Sequence, residues 1–290
     1  MKKILILLLL ISLSLTMFGC NVQTVDYQVV ATTLPVYNFT VALCNGTDIS
    51  VKRLITENVS CLHNYTLQVS QMQAIESADA VIISGAGLED FLEESLLDTK
   101  NILDCSSGVP LICAEDDHNH ADHHHMLDSH YWLSPSNAVL MADNICQGLS
   151  KCYPQYESLF QQNLEKLHKD FQAIAEYAQN ELNELSCREL ITFHDGFSYL
   201  AQSFDLTIVH AIEEDAGSEA SAAELIELTK IVEEHKLPAI FTECNGSTSA
   251  ANIISAETGA KVFSLDMAMS DKNYFEAMKY NIDTLKEALE

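Results

Sequence analysis

The stretch from Pro154 to Leu185 constrains the fold of this chain more than any other, because it contains no glycine and no further proline. Within it Phe160, Leu164, Leu167, Phe171, Ile174, Ala178, Leu182 and Leu185 recur every three or four residues, the spacing that lines apolar side chains along one face of an α-helix. Pro154 suits a first turn, where its missing N–H costs nothing. The spacing predicts one helix of about 30 residues, near 45 Å at 1.5 Å rise per residue. A helix of that length in mid-chain reads as a rigid connector between two bodies rather than as a core element. The same stripe also suits a partner helix in a coiled-coil dimer.

On either side, short apolar runs alternate with amphipathic segments, the pattern of a parallel sheet covered by helices. Before the stripe, Val29 to Leu34, Ser50 to Ile55, Ala80 to Ser84 and Asn101 to Cys105 read as strands. Val36 to Cys44, Thr66 to Ser77, Leu88 to Asp98 and Ser136 to Lys151 read as helices. After it, the strands are Arg188 to Phe193, Leu206 to Ile212, Ala239 to Glu243 and Lys261 to Leu265. The helices there run Phe197 to Phe204, Ser221 to His235, Ser249 to Thr258 and Tyr274 to Leu289, with Gly259 as a helix stop. The expected class is α/β: two α/β lobes with parallel sheets, joined by a long rigid helix, with a ligand cleft between the lobes. The divisions are 1–19 (leader), 20–152 (first lobe), 153–186 (connecting helix) and 187–290 (second lobe).

The leader reading rests on Lys2 and Lys3 ahead of an almost unbroken apolar run from Ile4 to Leu15, the layout of a bacterial export signal and too short for a membrane span. Met17, Phe18, Gly19 and Cys20 end it and resemble the lipobox of bacterial lipoproteins, which makes Cys20 a lipidation site and first mature residue. A plain secretory signal, giving a soluble secreted or periplasmic protein, is the alternative. Of the 15 Lys and Arg only Lys2 and Lys3 fall in the leader, so 13 face 42 Asp and Glu in the mature chain, a formal charge of −29. That balance argues against nucleic acid and anionic membrane faces, and for cations or a basic protein surface. Removing Cys20 from the nine cysteines leaves eight, an even set that outside the cytoplasm suggests disulfides. Cys105 with Cys113, Cys146 with Cys152, and Cys187 with Cys244 are the first pairs to try, Cys44 is a partner for Cys61, and free buried thiols remain open.

Six of the eleven histidines lie between Asp116 and His130. His118, His120, His123, His124 and His125, interleaved with Asp116, Asp117 and Asp122, make an acidic, histidine-rich loop over 115–125. Imidazoles with nearby carboxylates attract zinc, copper or nickel, but a tract without apolar periodicity holds several ions loosely. Ligand sites in α/β sheets form beyond the carboxyl ends of strands. His63, His194 and Asp266 each follow a predicted strand, and His130 sits just before Leu133, Ser134 and Pro135 open a helix. A cleft between lobes would gather them. Asp128 and Asp195 read as acceptors that orient imidazoles, Tyr131 and Trp132 as packing beside the site, and Glu213, Glu214 and Asp215 as a solvated acidic loop. His168, His210 and His235 read as ordinary structure.

Four motifs carry a resemblance to a known family: Thr32 to Tyr37; Asp128 to Pro135; Phe193 to Phe197; and Glu257 to Val262. With the histidine-rich insertion, they make the mature chain resemble the solute-binding proteins of zinc and manganese ABC transporters, the group with a rigid inter-lobe helix. The resemblance implies that His63, His130 and His194 are metal imidazoles and that Asp266, or water, completes the set. Where that family commonly has Pro-x-Gly-x-Glu-Pro-His, this chain has Glu57 to His63; Leu62 stands where zinc members often carry glutamate, and Cys61 lies close by.

The implied function is capture of Zn2+ outside the cytoplasm and delivery to a membrane ABC permease by a lipid-anchored monomer, without catalysis. Three imidazoles and one carboxylate suit tetrahedral zinc, whereas Mn2+ or iron(II), the alternative cargoes, prefer more oxygen. An extracellular metallohydrolase and a metal-stabilised adhesin are the rivals of other classes, but no His-Glu-x-x-His occurs. Because imidazole binds metal only when neutral, the tract should lose capacity below about pH 6.5, and the main site less sharply.

Overall fold

The computed structural model describes residues 27–56, 62, 65–92, 101–113, 127–212 and 221–290. The first sheet takes β1 (Val29–Ala31), β2 (Val51–Arg53), β3 (Ala80–Ile83) and β4 (Ile102–Asp104) in the order β2-β1-β3-β4. All its pairings are parallel, with Val29 opposite both Val51 and Ala80. The second takes β5 (Glu189–Thr192), β6 (Thr207–Ala211), β7 (Ala239–Glu243) and β8 (Lys261–Leu265) in the order β6-β5-β7-β8, again parallel throughout. The central strands β1 and β7 are buried along their whole length, which is why, apart from the closing Glu243, they read as continuous apolar or β-branched runs.

The helices are α1 (Leu34–Leu43), α2 (Val69–Ser77), α3 (Pro135–Cys152), α4 (Glu157–Glu181), α5 (Ser198–Ser203), α6 (Ala222–His235), α7 (Ser249–Thr258) and α8 (Tyr274–Leu289). Their ends obey local chemistry. Ser221 with Glu224, and Asn273 with Glu276, form capping boxes that start α6 and α8. Gly259 ends α7 at φ 80°, a left-handed conformation that glycine adopts without strain. Of the helix expected over Leu88 to Asp98, Asp90–Leu92 forms one 3-10 turn, and 93–98 lie outside the described residues.

The long helix differs from its sequence reading in two ways. Pro154–Tyr156 form a separate 3-10 turn, so α4 has 25 residues, about 38 Å at 1.5 Å per residue. Its stripe also packs into the core while the helix joins the lobes: Phe160, Leu164, Leu167, Phe171, Ile174 and Ala178 are buried against α1, α3 and α8 of the same chain. The stripe is thus filled internally, with no need of a partner helix. One buried cluster runs from Val29 in β1 through Phe160 and Phe171 to Leu285 in α8. Phe39 of α1, Phe171 of α4 and Tyr274 of α8 meet edge to face, with centroids 4.9 to 5.7 Å apart, so aromatic packing ties the two sheets' helices together. A smaller cluster around Ile191, Leu228, Val232, Ile240 and Ile254 fills the other face of the second sheet.

The disulfide expectations fail among the described residues, where seven cysteines are free. Cys146 and Cys152 lie six residues apart on α3, about 9 Å along its axis, beyond disulfide reach. Cys187 precedes β5 while Cys244 follows β7, at opposite ends of adjacent parallel strands. Cys105 is buried and Cys113 exposed, and burial pushes the Cys44 thiol up to about 12. Cys20 and Cys61 lie outside the described residues, and no described helix is long and apolar enough to cross a membrane.

Candidate metal centre

In each sheet the second and third strands in space are joined to partners on opposite sides, so a crevice opens beyond their carboxyl ends, where α/β folds place ligands. In the second sheet these strands are β5 and β7. His194 follows β5 and Glu243 ends β7; the His194 Nδ1 lies 3.0 Å from the Glu243 Oε1. Glu243 was not singled out in the sequence, although an acid closing a fully buried strand at this crevice is a readable signal. A carboxylate on Nδ1 fixes the tautomer and turns Nε2 outward as a donor to metal.

His130 approaches from the other lobe, just ahead of a 3-10 turn, Tyr131–Leu133, that leads into α3. Its Nδ1 lies 2.9 Å from the Asp128 Oδ1, which also accepts the His130 backbone N–H at 2.9 Å. The two imidazoles meet edge to face at 5.1 Å between centroids. Each therefore has one nitrogen held by a carboxylate. The His194 Nε2 is buried and has no hydrogen-bond partner, which costs free energy unless something fills the place. The vacant donor fits a cation that binds imidazole nitrogen.

The surroundings hold this pair in place. Trp132 and Tyr131 are buried. The Trp132 indole N–H donates to the Met267 carbonyl at 2.9 Å, and the Tyr274 hydroxyl donates to the Trp132 carbonyl at 2.8 Å. The Tyr199 hydroxyl donates to the Asp128 carbonyl at 2.9 Å and accepts from the Ile112 N–H at 2.8 Å. These bonds tie the segment that carries His130 to Tyr199, Met267 and Tyr274, and Tyr199 follows His194 in α5. Gly196 leaves room for the ring: a Cβ there would lie 2.6 Å from His194 Cδ2 and 2.6 Å from Met267 Cε.

Charge favours a cation. Burial pulls the His194 pKa down, but the Glu243 hydrogen bond and the charges of Glu243, Asp195 and Asp128 prevail and raise it above its ordinary 6.5. Burial, then Asp128, push the Asp195 carboxyl up against the opposite pull of His194 and His130. Asp128 orients an imidazole as the sequence suggests, while for His194 that part falls to Glu243 rather than Asp195.

Of the four expected ligands, the structure brings His130 and His194 together, and His63 lies outside the described residues, as do His118, His120, His123, His124, His125 and Glu213 to Asp215. Asp266 follows β8 and is buried, but its Oδ2 accepts from the Ser270 hydroxyl and from the Lys272 Nζ. Among the described residues no three His, Cys, Asp or Glu side chains converge as a metal-holding group. His168 and His235 pair with Asp143 and Glu189 at 2.8 and 3.0 Å, away from the site.

The model of the family described as "ZnuA: Zinc-uptake complex component A periplasmic" matches residues 29–288. This chain belongs to that family. Among its relatives, "Zinc-binding lipoprotein AdcA" of Streptococcus pneumoniae serotype 4 (strain ATCC BAA-334 / TIGR4) is 29% identical over 307 residues, covering 99% of this chain and 61% of that protein. The chain thus spans about three fifths of the length of that relative. A crystal structure of ZnuA superposes with a TM-score of 0.80 at 24% identity, covering 91% of this chain and 100% of the other. A ZnuA deletion mutant with zinc bound gives 0.78 at 24% identity, covering 91% and 98%. At such identity the likeness to the two ZnuA structures is one of fold.

Proposed function

We propose that this protein captures Zn2+ at the seam between its lobes and hands it to a membrane ABC permease. One observation carries the reading: two imidazoles from different lobes face each other at 5.1 Å, each braced by a carboxylate, with a buried and unpartnered nitrogen on His194. His130 and His194 supply two donors and His63 the third. This nitrogen-rich set suits zinc better than manganese or iron(II). Family membership and the name of the AdcA relative support the same cargo. The role is binding and release, and the protein works as a monomer whose stripe is filled from within.

The histidine-rich loop, with His118, His120, His123, His124 and His125, collects further ions weakly. Lipid on Cys20 tethers the protein to the outer face of the cell membrane, with 1–19 removed. The test is competitive titration of the chelator-stripped mature protein with zinc and manganese, beside a variant lacking 115–125. One tight zinc site that survives the deletion and resists manganese is the expected result. Loss of that site in the deletion variant, or equal affinity for manganese, overturns the proposal.

A further inference from the structure

We propose that Tyr199 positions the zinc centre: its hydroxyl is inserted into the hydrogen-bonded root of the histidine-rich loop, and by gripping Asp128 there it sets the place of His130 against His194. The inference rests on the capture reading above and names the residue that fixes the spacing of the two imidazoles.

The chain enters the histidine-rich loop after Cys113 and returns at Leu127, and these two residues form an antiparallel bridge. In that register Ile112 stands opposite Asp128, and the Asp128 N–H donates to the Ile112 carbonyl at 2.9 Å. A hydrogen-bonded pair of this kind normally exchanges two bonds, N–H to carbonyl in each direction. Here the second is opened, and the Tyr199 hydroxyl fills it. It accepts the Ile112 N–H at 2.8 Å and donates to the Asp128 carbonyl at 2.9 Å. One buried phenol thus satisfies a donor and an acceptor that would otherwise meet each other.

The inserted group comes from the other lobe. Tyr199 lies on α5, five residues after His194, whereas Asp128 holds His130 by two bonds of 2.9 Å, to the ring Nδ1 and to the backbone N–H. A short run of contacts therefore links the two imidazoles: His130 to Asp128, Asp128 to Tyr199, and Tyr199 back along the chain to His194. Without the hydroxyl, Ile112 and Asp128 can close the second bond directly. The loop root stays complete and the fold persists, but His130 loses its register with His194. Tyr199 is therefore a positioning residue that acts through Asp128.

Coupling of this kind is reciprocal. A grip that tightens zinc binding is itself tightened by zinc to the same factor, and the Ile112 N–H, which the grip holds, reports it through hydrogen exchange.

The experiment titrates the mature, chelator-stripped protein with Zn2+ as wild type, Tyr199→Phe, His130→Ala and the double variant, with thermal melts of the metal-free proteins to check folding. Tyr199→Phe is expected to lose about tenfold in zinc affinity, the scale of groups that orient a ligand, chiefly through faster release. Its metal-free melting temperature should stay within about 3 °C of wild type, which a purely structural role would not allow alongside the loss. In His130→Ala, adding Tyr199→Phe should change the weak remaining affinity by less than about threefold, because the two residues act as one unit. In wild-type protein, zinc should slow exchange of the Ile112 N–H by about tenfold. The effect should exceed that at the Lys261 N–H, which donates to the Pro238 carbonyl at the far end of the second sheet.

A folded Tyr199→Phe protein with zinc affinity within about threefold of wild type overturns the inference. So does a loss of about tenfold that persists in the His130→Ala background. If Tyr199→Phe does not fold, equal slowing of exchange at Ile112 and Lys261 overturns it. These results leave the capture reading standing, whereas tight zinc retained in His130→Ala overturns that reading and the inference with it.

Discussion

The two sheets share one strand order, so each has a crevice beyond its two central strands, but the chain treats the two crevices differently. In the first sheet, Glu89 turns back beneath the ends of β1 and β3. Its carboxylate accepts from the Thr32 hydroxyl at 2.6 Å, the Ser84 N–H at 2.7 Å and the Gly85 N–H at 2.9 Å. Thr33 and Ser84 join their hydroxyls, and the Tyr131 hydroxyl donates to the Ser84 carbonyl. That crevice is sealed by a satisfied polar network. In the second sheet the corresponding place holds His194 on Glu243, with a nitrogen left over. Topology thus offers two sites, and polar satisfaction decides which one remains open to a ligand.

The sharpest way to break this contrast is to remove the open nitrogen. His194→Ala should lower zinc affinity by about a hundredfold or more in a competition titration, since outer partners alone are worth 10- to 100-fold and this is a direct donor. Unchanged affinity would mean that the open crevice is not the site.

Glu243→Gln should cost about 10- to 100-fold in zinc affinity by releasing the ring it orients. It should also alter the pH profile. Zinc must displace the proton from His194, whose pKa is raised, so affinity rises with pH through that value and levels off above it. With its pKa raised by these carboxylates, the main site is expected to begin losing metal at a higher pH than one built on an ordinary histidine. Removing the Glu243 charge should move that onset to lower pH while affinity at high pH falls. An unmoved onset would show that Glu243 does not govern the proton on His194.

Gly196→Ala is a smaller perturbation. Its Cβ would sit 2.8 Å from His194 Nε2 as well as against Cδ2, so the ring must tilt. We expect about a tenfold loss of zinc affinity, at the lower end of effects from groups that orient a ligand, with the far-ultraviolet spectrum unchanged.

The sealed crevice should respond in the opposite sense, with stability changing and zinc affinity unchanged. Burial pushes the Glu89 carboxyl up from 4.5 to about 7, against the lowering pull of its bonds from Thr32, Ser84 and Gly85. Folding takes up a proton there. The stabilisation is complete below the unfolded value and is lost as pH rises through about 7, on the order of 3 kcal/mol across that window. Glu89→Gln should flatten the dependence of denaturant midpoint on pH between about 4.5 and 7 and leave zinc affinity within about threefold. A zinc loss comparable to that of Glu243→Gln would erase the distinction between the two crevices.

The fold was legible because local chemistry and burial agree along this chain. Among the described residues all eight strands lie within the runs read from the sequence, and the β-branched residues of β1 and the capping boxes of α6 and α8 mark elements that tertiary packing also needs. What periodicity could not reveal was where the apolar stripe of α4 is spent, since an internal neighbour and a second chain demand the same pattern. His130 and His194 were visible from their motifs and their places after turns and strands. Glu243 was not, because it acts through a partner far away in sequence, and only the juxtaposition of β5 with β7 gives it a task.

The unbroken core that passes through Phe39, Phe171 and Tyr274 bears on how long the protein lasts as well as on its shape. A molecule with two separate cores would unfold in halves, and a ligand at their boundary would protect little. Here the halves share one cooperative unit, so an ion held at the boundary is linked to the unfolding of the whole chain and stabilises it by mass action. If the ion binds there, the loaded form should be the long-lived one, and the empty form the one that proteases reach first.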